Sequence, residues 1–269
     1  MRISIVENLP GALPERHGYG SAVLSVVMFV VSAWAWGGDS ARLPDDAAVH
    51  EEAAAAKPFK LTAGNYQYGD FAGQDINLRY RSGETSAWFG AYHDREFGSQ
   101  SRAGLESAFT PFSGFGLSLQ PSLQLASHGF VGGSLSAELG EPWFVLAGWG
   151  RTNLKPYFNL NFDPNDAISL AFGRREESGR TFYVMAVADD RLHTGQKHVH
   201  FVARLPMNHA ERLTVDVLHK LGEGDEGPVN AWGASVTYDW KDWFLRLASD
   251  PKQNFSATNA VRLSAGTRF

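Results

Sequence analysis

The sequence predicts an all-β fold, a single transmembrane up-and-down antiparallel β-barrel of about fourteen strands, or twelve if one hairpin is miscounted. Three observations lead there. From Phe59 to the end, apolar and polar residues alternate with a period of two rather than 3.6. Short turns and longer polar connections alternate along most of that stretch, as in membrane-spanning barrels. An export-type segment stands at the start.

Composition narrows the class. A chain of 269 residues accommodates one large β domain. With 43% hydrophobic and 20% charged residues it is neither a disordered tail nor a helical membrane protein. The 24 basic and 29 acidic residues leave a net charge of −5 and no basic excess to attract nucleic acid. The absence of cysteine removes disulfides, thiolate zinc sites, a cysteine nucleophile and a lipoprotein anchor together.

Residues 1–35 read as a signal peptide. Arg2 and Arg16 lie in a polar leader, an apolar run follows from Ala22 to Val31, and Ala33-Trp34-Ala35 supplies small residues at the cleavage positions. The run is short for a membrane helix, which needs about 20 apolar residues, although an uncleaved N-terminal anchor is the other reading. Residues 36–58 contain Asp45, Asp46, Glu51 and Glu52 and no strand pattern, and read as a periplasmic linker.

Residues 59–269 form the barrel. The strands fall at roughly 59–70, 74–83, 85–96, 100–111, 115–127, 130–140, 143–154, 166–175, 180–191, 196–206, 211–221, 229–240, 242–250 and 259–269. Many are about 10 residues long, the length a tilted strand needs to cross a bilayer. Tight turns are expected at 82–85, 140–143, 177–180 and 239–242, and long external loops at 92–101, 152–166, 189–197, 219–229 and 249–259. An even strand number puts both termini on the periplasmic side. Trp88, Trp143, Phe144, Trp149, Trp240, Trp243, Phe244 and Phe269 cluster near strand ends, as interfacial aromatic belts do.

Alternation also assigns faces. Ile76, Leu78, Val199, Phe201 and Leu263 point outward. Arg79, Arg81, Glu106, Gln120, Gln124, Glu138, Arg204, Asp216, Arg246 and Arg262 line the lumen, with Asp239 and Arg268. Fourteen strands enclose a space too wide for small side chains to fill. These residues therefore line water or a ligand, or pair with one another and plug the barrel.

The chain ends in Leu263-Ser-Ala-Gly-Thr-Arg-Phe269. This resembles the terminal strand of Gram-negative outer-membrane β-barrel proteins, which alternate apolar positions and end in an aromatic residue. The resemblance covers the architecture of 59–269. It implies the bacterial outer membrane, contact with lipid and lipopolysaccharide, and recognition of the strand ending in Phe269 by the barrel assembly machinery. It does not imply a subfamily.

Sites of chemistry are sparse. His198 and His200 share one face of a strand, with His193 close by, and form the strongest metal-like group; polar histidines facing the lumen beside an external loop are the preferred explanation, and no metal or other cofactor is expected. His93, Asp94 and Ser99 could suggest a surface hydrolase, but their spacing fits no known motif. Asp163-Pro-Asn-Asp166 is a turn former first and a calcium ligand set second. The reading is a passive channel or binding barrel for small hydrophilic solutes, with anions favoured. The alternatives are a surface-loop enzyme acting on lipid or lipopolysaccharide, or a structural or adhesive barrel. The balance leans away from an enzyme.

Overall fold

The computed structural model describes residues 57–112, 114–160, 163, 165–208 and 210–269. The expected signal peptide, and all of the linker but its last two residues, lie outside the described residues. The described chain forms β1 (Phe59–Tyr68), β2 (Phe71–Ser82), β3 (Thr85–Asp94), β4 (Gly98–Ser107), β5 (Leu117–Ala126), β6 (Phe130–Leu139) and β7 (Trp143–Thr152). It continues with β8 (Ala167–Arg175), β9 (Thr181–Asp189), β10 (Lys197–Asn208), β11 (Glu211–Gly224), β12 (Gly227–Trp240), β13 (Trp243–Asp250) and β14 (Ala260–Arg268). Each strand pairs antiparallel with its sequence neighbours, and β1 pairs with β14 to close the barrel. At the seam Phe59 and Phe269 exchange both backbone hydrogen bonds, at 3.1 and 3.0 Å, and their rings stack at 5.7 Å.

The two faces follow from the alternation. Ile76, Leu78, Phe89, Leu135, Leu170, Phe172, Leu247 and Leu263 are all exposed on the outer surface. A contiguous apolar belt of this kind is stable against acyl chains rather than water, so the barrel is a membrane-embedded one. Phe59, Tyr80, Trp143, Trp240, Trp243 and Phe269 ring the end that carries the termini, and Trp149 and Trp232 lie toward the other. Amphipathic rings at both interfaces anchor such a barrel at its depth.

Several elements differ from expectation. Two of the expected long loops are hairpins: the 92–101 region closes at residues 95–97, and the 219–229 region runs as strand to a turn at Asp225 and Glu226. Here apolar alternation fades while the backbone ladder continues, so the strands outlast their hydrophobic signal. In the first hairpin Asp94 accepts the backbone N–H groups of Glu96 and Phe97, at 2.7 and 2.6 Å, which tightens the turn. Beyond the ends of their strands, residues 153–166, 190–196 and 251–259 form long connections at one mouth, and 108–116 a long one at the terminal mouth. The short–long alternation is therefore partial.

Three of the expected belt aromatics point inward. Phe144 and Phe244 are buried and Trp88 is half-buried. Each lies opposite a cross-strand glycine: Trp88 with Gly104, Phe144 with Gly173 and Phe244 with Gly266. A Cβ on any of these glycines would strike the facing ring, so the missing side chain is what lets the aromatic lie along the inner wall.

The outer face yields a stability prediction. Leu247 and Leu263 are cross-strand partners, half-exposed and mid-strand. Leu247→Arg and Leu263→Arg should each cost about 2–4 kcal/mol, and Trp243→Arg at the rim about 0–1 kcal/mol. Guanidinium unfolding in lipid vesicles measures this; equal costs at all three positions would contradict the belt.

A lumen crossed by residues 153–166

The inner face is built from charges that strand parity aims inward. Arg79 meets Glu106 at 2.5 Å, Arg102 meets Asp75 at 3.1 Å, and Arg175 meets Glu138 at 2.6 Å. Lys220 pairs with Asp250, and Asp239 takes both Arg268 at 2.8 Å and Arg212 at 3.5 Å. The wall of β7–β10 is different. There Phe144, Leu146, Tyr183, Met185, Val187 and Val202 form a buried apolar cluster on the inside. The interior thus has an apolar side and a charged side, where alternation had suggested a uniformly polar lining.

In the connection between β7 and β8, the described residues do not stand away from the mouth but reach inward to opposed walls of the lumen. Tyr157 stacks on Phe130 of β6 at 4.4 Å and accepts a hydrogen bond from Gln124 of β5 at 2.5 Å. Phe158 stacks on Tyr92 of β3 at 4.4 Å. Its backbone N–H and carbonyl are both engaged by the Gln100 amide of β4, at 2.8 and 3.0 Å. Asn159 and Asn254 bond reciprocally, at 3.0 and 3.2 Å, tying the segment to the β13–β14 connection. The Leu160 carbonyl accepts from Arg262 of β14 at 3.1 Å. Leu160 itself packs in a cluster with Tyr66, Tyr68 and Tyr92 on the wall opposite the point where the segment leaves it.

At its return the segment delivers Asp163 to β10. The Asp163 Oδ1 lies 2.7 Å from His198 Nδ1 and 3.0 Å from His200 Nε2. Burial pushes the Asp163 carboxyl up, but the facing His200 and His198 outweigh it and hold it well below the usual carboxylate range. The far nitrogen of His200 faces both carboxylate oxygens of Asp216 at 3.1 Å.

Beside this group, Arg246 and Arg262 are diagonal neighbours on adjacent strands, since Arg246 faces Ser264 in the register. Arg246 is buried and donates to Ser235 Oγ at 3.3 Å, while its Nε and Nη1 have no hydrogen-bond partner among the described residues.

Of the other expected lining residues, Arg204 lies 5.7 Å from the Tyr183 ring, and Arg81 and Gln120 are half-buried. His193 is exposed on its turn, away from His198 and His200. Asp163 and Asp166 are engaged by different partners: Asp163 faces His198 and His200, and Asp166 accepts from Thr152 Oγ1 at 2.6 Å and from Arg191 at 2.7 Å. His93 meets Ser99 at 3.0 Å on the outer face, but Asp94 points inward to Tyr92, so no triad forms. Asp75, Arg102, Arg175, Lys220 and Asp250 were missed. Parity with Ile76 or Leu247 would have found Asp75 and Asp250, whereas the infolding of 153–166 has no periodic signal.

The pinning of the segment is testable by proteolysis. Each lost bond in Gln100→Ala or Asp163→Ala removes about 1–3 kcal/mol. Chymotryptic cleavage at Tyr157–Leu160 should then run roughly five- to hundredfold faster than in the parent protein. Unchanged cleavage would mean that these contacts do not hold the segment.

No protein-family profile matches the chain, and a search of curated proteins finds no relative. Among solved structures, the Acinetobacter baumannii outer membrane protein Omp33 is similar with a TM-score of 0.50 and 9% identity, over 79% of this chain and 98% of that one. The NanC porin (7% identity; 78% of this chain and 100% of that one) and the KdgM porin (10%; 78% and 99%) have TM-scores of 0.44 and 0.43. The likeness to Omp33 is one of fold: the chain has the closed β-barrel architecture of an outer-membrane protein.

Proposed function

We propose that this chain is a passive channel or binding barrel of the bacterial outer membrane for small hydrophilic solutes, with anions favoured. The observation that carries the reading is Arg246. A buried guanidinium with two unpartnered nitrogens is costly unless water or a visiting acceptor supplies the missing bonds. Arg262 alongside raises the local positive potential, and the apolar wall opposite focuses it. A carboxylate or phosphate group moving past residues 153–166 would meet this pair. Solute contact along the passage would fall to the inner-face set of Arg79, Arg81, Glu106, Gln120, Gln124, Glu138, Arg204 and Asp216. The exposed belt would face lipid and lipopolysaccharide, and the strand ending in Phe269 would be the element read by the barrel assembly machinery.

A second reading is a closed barrel that displays its loops, and the crossing of the lumen by residues 153–166 favours it. Planar-bilayer recording separates the two. A weakly anion-preferring conductance is expected for the refolded protein, with the preference reduced in Arg246→Gln. Cation preference, or selectivity unchanged in Arg246→Gln, would overturn the channel reading; no conductance at all would favour the closed barrel.

Orientation follows from the same proposal. The end carrying the termini would be periplasmic and the mouth crossed by 153–166 external. A cysteine placed at Asp225 should react in intact cells with an impermeant thiol reagent, and one at Ser178 should not. The test is clean because the chain has no cysteine of its own.

A further inference from the structure

Asp163, His198 and His200 are brought together from a connection and a strand 35 and 37 residues apart. All three are buried, and one ligand-type atom of each lies within 4.8 Å of the others. The same geometry suits hydrogen bonding, with one carboxylate oxygen accepting from both rings, and suits a shared cation. Two ring nitrogens aim at one carboxylate oxygen, and His198 Nε2 is buried with no hydrogen-bond partner among the described residues. His200 also needs a proton on its far nitrogen for Asp216. A single cation in place of the two protons at Asp163 Oδ1 would take the Nδ1 lone pair of His198 and the Nε2 lone pair of His200 and leave the Asp216 bond intact.

The surroundings resemble the outer shell of a metal site. The carboxylate of Asp216 on His200 Nδ1 would fix the tautomer that leaves Nε2 its lone pair. The His198 ring is held by stacking on Phe255 at 5.3 Å. Donor spacings of 2.7 and 3.0 Å are about 0.6 and 0.3 Å short of the roughly 3.3 Å between tetrahedral zinc ligands that bond lengths of about 2.0–2.1 Å imply, so the ligands would spread slightly around an ion. Two imidazoles and one carboxylate select a borderline dication over calcium or magnesium, and three protein ligands leave a fourth position open.

We propose that Asp163, His198 and His200 bind one divalent transition-metal ion of the zinc class, which ties residues 153–166 to β10. The site is independent of solute passage and is tested without conductance. Full-length protein without a polyhistidine tag, refolded in detergent and stripped with chelator, is titrated with zinc by calorimetry. One zinc per chain is expected. Asp216→Asn should weaken binding roughly 10–100-fold, the range for loss of an outer-shell carboxylate. His200→Gln should weaken it at least as much, and His193→Gln should leave it unchanged. Cobalt(II) should give the visible bands of a four-coordinate ion, and His200→Gln should lose them. Circular dichroism confirms that each variant is a folded barrel; if His200→Gln does not fold, Asp216→Asn decides. No stoichiometric zinc in the parent protein, or parental affinity in Asp216→Asn, overturns the site.

Discussion

Inside a bilayer no water is available to hydrogen-bond an open strand edge, and this constraint governs the whole structure. It requires the sheet to close, which β1 and β14 do along a seam ending at Phe59 and Phe269. Closure with fourteen strands sets a width that wall side chains alone do not bridge. Water or further chain fills the rest, and the described residues of 153–166 take up part of it. Wall, width and filling are thus consequences of one requirement on the backbone.

The same requirement shapes the electrostatics. Polar side chains cannot turn to the lipid, so the charges of alternate positions are pressed into a confined space. Most are met there by opposite charge: Arg175 by Glu138, Arg79 by Glu106, Arg268 by Asp239. Breaking a pair as buried as Arg175–Glu138 would strand a charge, at about 3–5 kcal/mol. Arg246 differs in that its guanidinium donates only to the Ser235 hydroxyl among the described residues, and so marks a place where the interior is short of an acceptor.

The architecture was legible because a strand between lipid and lumen must alternate. The pattern around Ile76, Leu78 and Tyr80, or Val261 and Leu263, gives each strand one apolar and one polar face. Strand ends were less legible. β11 and β12 run on to Gly224 and Gly227 through residues that carry no apolar signal, because backbone pairing needs none. Trp88 and Phe144 were misassigned for a related reason. An aromatic near a strand end suits an interface, and only the register with Gly104 and Gly173 reveals space for it inside. For the candidate site, His198 and His200 were visible as a same-face pair. Their partner Asp163 was not, since it arrives from a segment whose path is set by scattered contacts rather than by any period.

Between β7 and β8, Tyr157, Phe158, Leu160 and Asp163 touch β3, β4, β5, β6, β10 and β14. Mechanically that is a strut across a hoop. A bare cylinder of sheet flattens readily under uneven lateral pressure, because each strand pair can hinge slightly. The strut forbids this at one rim, where opposed walls are linked through a single short stretch of chain. Toward the rim with the termini, pairs such as Arg268 with Asp239 and Arg175 with Glu138 join nearby strands. To flatten the crossed rim, a change in bilayer thickness or packing would have to break contacts that reach opposed walls, such as Phe158 on Tyr92 and Asp163 on His198.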